Sequence, residues 1–366
     1  MVHLPEKIRS AIQKVVNQLK KDERICGIGL FGSWSREDYA NGSDVDLLVI
    51  DESNPPTEYV KRIEMTGVLI DLNFVPKKWI TEAIPPEIDQ KIHEAYILYD
   101  RDWSFTSCKE WLDKFYYSEE RLNLRTESYM VDSDIYFSRA ASAQARQDFE
   151  SAYVFAGKSL ENSLKILIEA CRLPICNSCF IQNLERATEK LEMITTYAHY
   201  LAITNLNEID DVKAEKILGL FKETWDEISY FSKRNKKTLE KLHFNVKSKL
   251  EYYISAQFLQ GTILRTRSLI NNGKNVEAAH YIRNITLEML ENYLWLKAET
   301  EETKADPTTL FRFIKETAKT IHKKTREIFH TEKIKSEDTQ KIIGEVKEIN
   351  LKIRRQRKNL IQQALK

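Results

Sequence analysis

The chain has 366 residues, of which 42% are hydrophobic and 30% charged, with 56 basic against 55 acidic side chains and a formal net charge of +1. That length allows two or three domains and at least one full core, and the near-neutral balance does not by itself predict a polyanionic partner. No apolar run of about 18 residues argues for a membrane span, the polar start MVHLPEKIRSAIQKVV does not read as a secretory signal, and five cysteines fit a reducing, cytoplasmic setting better than a disulfide framework.

Pro5 can open a helix through KIRSAIQKVVNQLKKD, where apolar residues recur three and four apart. Ile25–Phe31, ICGIGLF, reads as a buried strand, and Asp44–Ile50, DVDLLVI, as a second. Pro55-Pro56 then break the chain, and Thr57–Glu64 is read as a short helix. Gly67–Val75, GVLIDLNFV, reads as a third strand closed by Pro76. Lys77–Ile80 and the helix after Pro85-Pro86 are expected to pack on the sheet.

From about Trp103 the texture changes to successive amphipathic stretches rich in strong helix formers. They are read at Cys108–Ser118, Tyr129–Ala170, Cys179–Tyr197, Glu208–Lys233, Lys237–Ser268, Ala278–Ala298, Pro307–Ile328 and Glu332–Ala364. The expected fold class is α+β, a small mixed-sheet domain followed by a large all-helical region. The expected domains are residues 1–102, a helical bundle over 103–298, and a helical C-terminal extension over 299–366 with a basic end. Basic side chains number 12 against 17 acidic over residues 1–100 and 17 against 10 over 301–366, so the front is mildly acidic and the tail basic.

The most informative stretch is LFGSWSREDYANGSDVDLLVID, Leu30–Asp51. Gly32-Ser33 fall at the end of the first strand, where glycine permits a tight turn and close approach of a phosphate to the backbone. Asn41-Gly42-Ser43 is good turn chemistry and leads into Asp44. Strand alternation puts Asp44 and Asp46 on one face, where two carboxylates repel unless a cation lies between them. Hard oxygen ligands of this kind suit Mg²⁺ or Mn²⁺ shared with substrate phosphates. Asp71 is a lone charge within the third strand; if that strand lies beside the second, Asp71 completes a set of three carboxylates.

This pattern resembles the minimal nucleotidyltransferase branch of the DNA polymerase β-like superfamily, in which a Gly-Ser step is followed by Asp-x-Asp and a third acidic residue on a neighbouring strand. The resemblance covers roughly residues 20–80. It implies that Gly32 and Ser33 bind a nucleoside triphosphate, expected to be ATP, with Arg36 nearby. It also implies that Asp44 and Asp46 ligate two Mg²⁺ or Mn²⁺ ions, and that Asp71 ligates one of them and orients or deprotonates an acceptor hydroxyl. Glu37 stands where many members have a glycine. The implied activity is transfer of a nucleoside monophosphate to a hydroxyl acceptor with release of pyrophosphate.

Residues 148–191 resemble, in helical rhythm, the helical domains of kanamycin-type nucleotidyltransferases and HEPN bundles. No Arg–His pair has the spacing of HEPN ribonucleases; Arg326 and His330 come nearest. Glu150 and Glu161 are candidates for an additional general base. Cys171, Cys176 and Cys179 are read as ordinary core or loop residues, and Trp111, Phe115, Tyr116 and Tyr117 as a helical core stripe. Three functions stay open: transfer to a small molecule or protein side chain, transfer to an RNA 3′ end aided by the basic Leu351–Lys366 helix, and a non-catalytic regulatory module of the toxin–antitoxin kind.

Overall fold

The alternation along Val45–Asp51 (β2) organises the N-terminal part of the computed structural model, which describes residues 4–39 and 43–365. Val45, Leu47 and Val49 join a core with Ala11, Ile12, Val15 and Val16 of the helix Glu6–Leu19 (α1). Leu48 and Ile50 point the other way, into a second core. Strand side chains alternate by geometry, so a sheet with helices on both faces needs apolar residues in both phases. The expected turn at Asn41-Gly42 lies outside the described residues.

The sheet has five strands: Ile25–Phe31 (β1), β2, Tyr59–Met65 (β3), Val68–Pro76 (β4) and Tyr96–Asp100 (β5), in the order β3-β4-β2-β1-β5. β2 and β4 are parallel, whereas β1 with β2, β3 with β4 and β1 with β5 are antiparallel. The short helix Ser33–Arg36 (α2) follows β1, and Lys78–Thr81 (α3) follows β4. Asp89–Glu94 (α4) and Ser104–Phe115 (α5) supply Ile92, Phe105, Cys108 and Leu112 to the second core. The α+β class expected from sequence is what forms.

Thr57–Glu64, read as a short helix, lies instead largely in β3. Tyr59 and Ile63 have helical spacing, but Thr66 (φ 54°) and Gly67 (φ 72°) make a two-residue hairpin turn into β4. Such a turn matches strand twist and pairs β3 with its neighbour. Tyr59, Ile63 and Met65 then pack against the α1 core.

The chain divides into two compact units, Met1–Arg121 with His243–Ser268, and Leu122–Leu242 with Leu269–Lys366. The remaining elements are helical. Glu119–Ala145 (α6) and Phe149–Ala170 (α7) replace the single stretch read from Tyr129 to Ala170. Gln147 turns left-handed (φ 62°), and the Asp148 side chain accepts from the Ser151 N–H to cap α7. Phe180–Lys190 (α8), Ile194–Ile203 (α9), Asp211–Arg234 (α10) and Lys236–Leu239 (α11) follow. Phe244–Tyr253 (α12) and Ala256–Asn271 (α13) come next, and α12 packs on β3. Asn275–Thr300 (α14), Leu310–Thr317 (α15), Lys319–Phe329 (α16) and Ser336–Leu365 (α17) complete the chain.

In the helical unit, α7 is buried along nearly its whole length and packs against α17, α8 and α15. Cys176 and Cys179, read as ordinary core or loop residues, form a disulfide between α7 and α8, while Cys171 is a buried free thiol. Among the described residues, no helix is long and apolar enough to cross a membrane.

Candidate active site

Asp46 of β2 pairs in register with Asp71 of β4, and Asp71 pairs in register with Arg62 of β3. One row across three strands therefore reads carboxylate, carboxylate, guanidinium. Asp44 precedes β2 and reaches the same cluster. The third carboxylate lies beside the Asp-x-Asp strand, as the alternation of β2 and β4 requires for a three-carboxylate set.

Arg62 Nε and Nη2 donate to both oxygens of Asp71 at 2.6 and 2.5 Å, and Nη2 also reaches Asp44. Arg265 of α13 donates to the other oxygen of Asp44. The Tyr252 hydroxyl of α12 donates to Asp71 at 3.1 Å. Asp44, Asp71 and the Arg62 side chain are all buried. Every residue of this cluster lies in the sheet-containing unit, two of them supplied by its His243–Ser268 segment.

The carboxylates respond in different directions. Burial raises Asp44, but the charges of Arg265 and Arg62 more than offset it and hold the acid below its usual range. Asp46 is pushed well up, by burial and then by the charges of Asp44 and Asp71. Asp71 is raised by burial, which its bonds to Arg62 only partly counter. Three acids share two arginines, and the ionised form of Asp46 is the one most disfavoured.

Gly32 turns from β1 into α2 with φ 75°, a region that L side chains rarely enter. A side-chain carbon there would stand 2.8 Å from an Asp46 carboxylate oxygen. Glycine is thus needed twice, for the conformation and for the approach to Asp46. Its N–H donates to a Glu94 carboxylate oxygen at 3.2 Å, and Arg36 Nη1 donates to the same oxygen at 2.6 Å. Arg36 also holds Asp38 at 3.0 Å, and Ser35 donates to the Glu94 carbonyl. Ser33 begins α2 beside this anion-holding turn.

The donor chemistry suits a divalent cation: three hard carboxylates on adjoining strands, one of them against bare glycine backbone. Among the described residues, however, no group of three His, Cys, Asp or Glu is disposed as a metal-ligand set. Asp44 and Asp71 are turned onto Arg62 instead.

Other residues singled out from sequence lie elsewhere. In the helical unit, Glu150 holds His322 Nε2 at 2.6 Å and Arg326 at 2.8 Å. Glu161 holds Lys158 at 2.6 Å and His280 at 3.2 Å. In the sheet-containing unit Tyr116 is core, but Trp111 and Phe115 are exposed and in mutual ring contact. Arg62, Tyr252, Arg265 and Glu94 are not among the residues the sequence points to. The Thr66-Gly67 turn was the available signal for Arg62; nothing local marks the other three.

Residues 12–99 match the nucleotidyltransferase domain family. This segment is a nucleotidyltransferase domain of the polymerase-β-like superfamily. Two Methanocaldococcus jannaschii proteins, each named "Putative protein adenylyltransferase", are 28% and 29% identical to this chain over 90 residues, spanning 25% of it and 83% of their own length. The domain is a distant relative of theirs. A crystallised nucleotidyltransferase-like protein from Exiguobacterium sibiricum aligns with 84% of this chain and 90% of its own, at 14% identity and a TM-score of 0.32.

Proposed function

We propose that the protein is a metal-dependent nucleotidyltransferase that moves a nucleoside monophosphate from a nucleoside triphosphate, expected to be ATP, to a hydroxyl on a protein side chain. The observation that carries this reading is the pairing of Asp46 with Asp71 across β2 and β4, with Asp44 at the head of β2 and the Gly32 turn against Asp46. In this reading Asp44, Asp46 and Asp71 would hold Mg²⁺ or Mn²⁺. Such ions, when bound, polarise phosphoryl oxygens and neutralise developing charge.

The chain's own residues do the positioning. Gly32 and Ser33 take the triphosphate at the β1–α2 turn, where the Gly32 N–H and Arg36 already hold an anionic oxygen of Glu94. Asp71 orients the acceptor hydroxyl and draws off its proton. The hydroxyl oxygen then attacks the α-phosphorus in line, and pyrophosphate leaves. Holding these groups in an attack geometry is the main contribution a small site makes.

The protein acceptor is favoured by the names of the two Methanocaldococcus jannaschii relatives. The test supplies each of the four nucleoside triphosphates labelled at the α-phosphorus, with Mg²⁺ or Mn²⁺. The chain itself, a cell-protein fraction, total RNA and a metabolite extract serve as acceptors, with Asp46→Asn as control. Label in protein that disappears in the mutant supports the reading. Label only in RNA or metabolites would replace the acceptor, and mutant-insensitive label would sink the site assignment.

A further inference from the structure

The surroundings of Arg62 are shaped to its guanidinium. Both Asp71 oxygens take its bidentate bonds, and Asp44 takes a third. The rings of Tyr252 and Phe258 lie 5.6 and 5.9 Å from Arg62 Cζ, within the range of cation–π attraction. Above it passes α13, at its single glycine. A methyl group built on Gly261 would overlap Arg62 Nη1. A helix interior disfavours glycine, so a glycine at this contact marks a close approach.

The carboxylates that hold Arg62 are two of the three that the proposed function assigns to a divalent cation. The same oxygen lone pairs cannot serve a bidentate guanidinium and a metal ion at once. Two cations at that distance would also repel. Arg265 on Asp44 adds to the positive charge at the site.

We propose that Arg62 is the resident counter-cation of this site, competing with the divalent metal for Asp44 and Asp71, and that Gly261 is the seat holding it there. The proposal rests on the reading of Asp44, Asp46 and Asp71 as metal ligands. It makes release of Arg62 a step in metal entry, so whatever unseats Arg62 strengthens metal binding. A side chain on β3 and a glycine on α13 thereby set the affinity of ligands on β2 and β4.

The test is Mn²⁺ binding to the full chain without nucleotide, followed by the electron paramagnetic resonance of the free ion. Arg62→Met should tighten the Kd by about ten-fold or more, the scale of one lost charged hydrogen-bond pair. Gly261→Ala keeps every charged group and should tighten it by a smaller factor. Adding Asp46→Asn to either variant should remove the gain. Circular dichroism melts report folding; if Arg62→Met does not fold, Gly261→Ala decides. Wild-type binding with unchanged or weaker binding in the folded variants overturns the proposal and leaves the metal reading standing. No Mn²⁺ bound by any form overturns both.

Discussion

In the helical unit, the buried Glu161 lies between Lys158 and His280, and the Tyr200 hydroxyl also points to it at 3.4 Å. On the sheet, Asp46 has two further carboxylates for neighbours, and the nearby arginines are bonded to those neighbours. Burial penalises both acids. For Glu161, Lys158 and His280 outweigh that penalty and drive the acid well below its usual range. For Asp46 the nearest charges add to the penalty. An acid whose partners lie inside the chain is held by packing, whereas one whose nearest charges repel it is a candidate site for an outside cation.

The sharpest way to separate the two is by activity. Asp46→Asn should cut nucleotidyl transfer by about a thousand-fold or more, the scale of lost metal-assisted charge stabilisation. Its melting temperature should stay level or rise, since the substitution removes a repelling charge. Asp71→Asn should be nearly as inactive. Label transfer and a thermal melt on the same preparations check these expectations.

Glu161→Ala should do the reverse, lowering stability by about 3–5 kcal/mol because Lys158 and His280 lose the carboxylate they share, although Lys158 keeps its bond to Asn284. A urea titration of the helical unit's signal measures this. A milder version uses acid. The folded-state pKa of Glu161 lies below its ordinary value of 4.5, so its contribution is present above that pH and is lost as pH falls further. Wild type and Glu161→Gln should therefore differ in melting temperature at neutral pH and converge below about pH 4.5. A constant gap would show that the pair is not the source.

The smallest effect belongs to an exposed pair. Arg354 of α17 and Asp134 of α6 meet at 2.6 Å, but their side chains are 46% and 60% exposed. Their coupling in a double-mutant cycle should be below about 1 kcal/mol and shrink further with salt. A larger value would blur the contrast between paired burial and surface pairing.

Much of this site was legible because its residues obey short-range rules. Gly32-Ser33, Asp44, Asp46 and Asp71 lie on or beside strands whose apolar runs are plain, and alternation alone assigns faces to the aspartates. β3 was not legible as a strand, because Tyr59 and Ile63 fit helical spacing as well as a pleat, and only pairing with β4 decides between them. Arg62 was missed with it. Arg265 meets Asp44 across 221 positions of sequence and Tyr252 meets Asp71 across 181, separations at which no periodicity carries information. The break at Gln147 was hidden for another reason: a left-handed glutamine carries no glycine or proline to announce it.

The sheet-containing unit is also discontinuous in the chain, since α12 and most of α13 reach it from His243–Ser268. On a ribosome, its first 121 residues emerge on the order of ten seconds before that segment does. For that interval Asp44 has no Arg265, Asp71 has no Tyr252, and Arg62 has no Gly261 to settle against. The sheet can form early, but its most charged corner is completed only after much of the helical unit has been synthesised. Slow codons or a pause between Arg121 and His243 would lengthen the life of that half-built corner without altering a single contact in the finished protein.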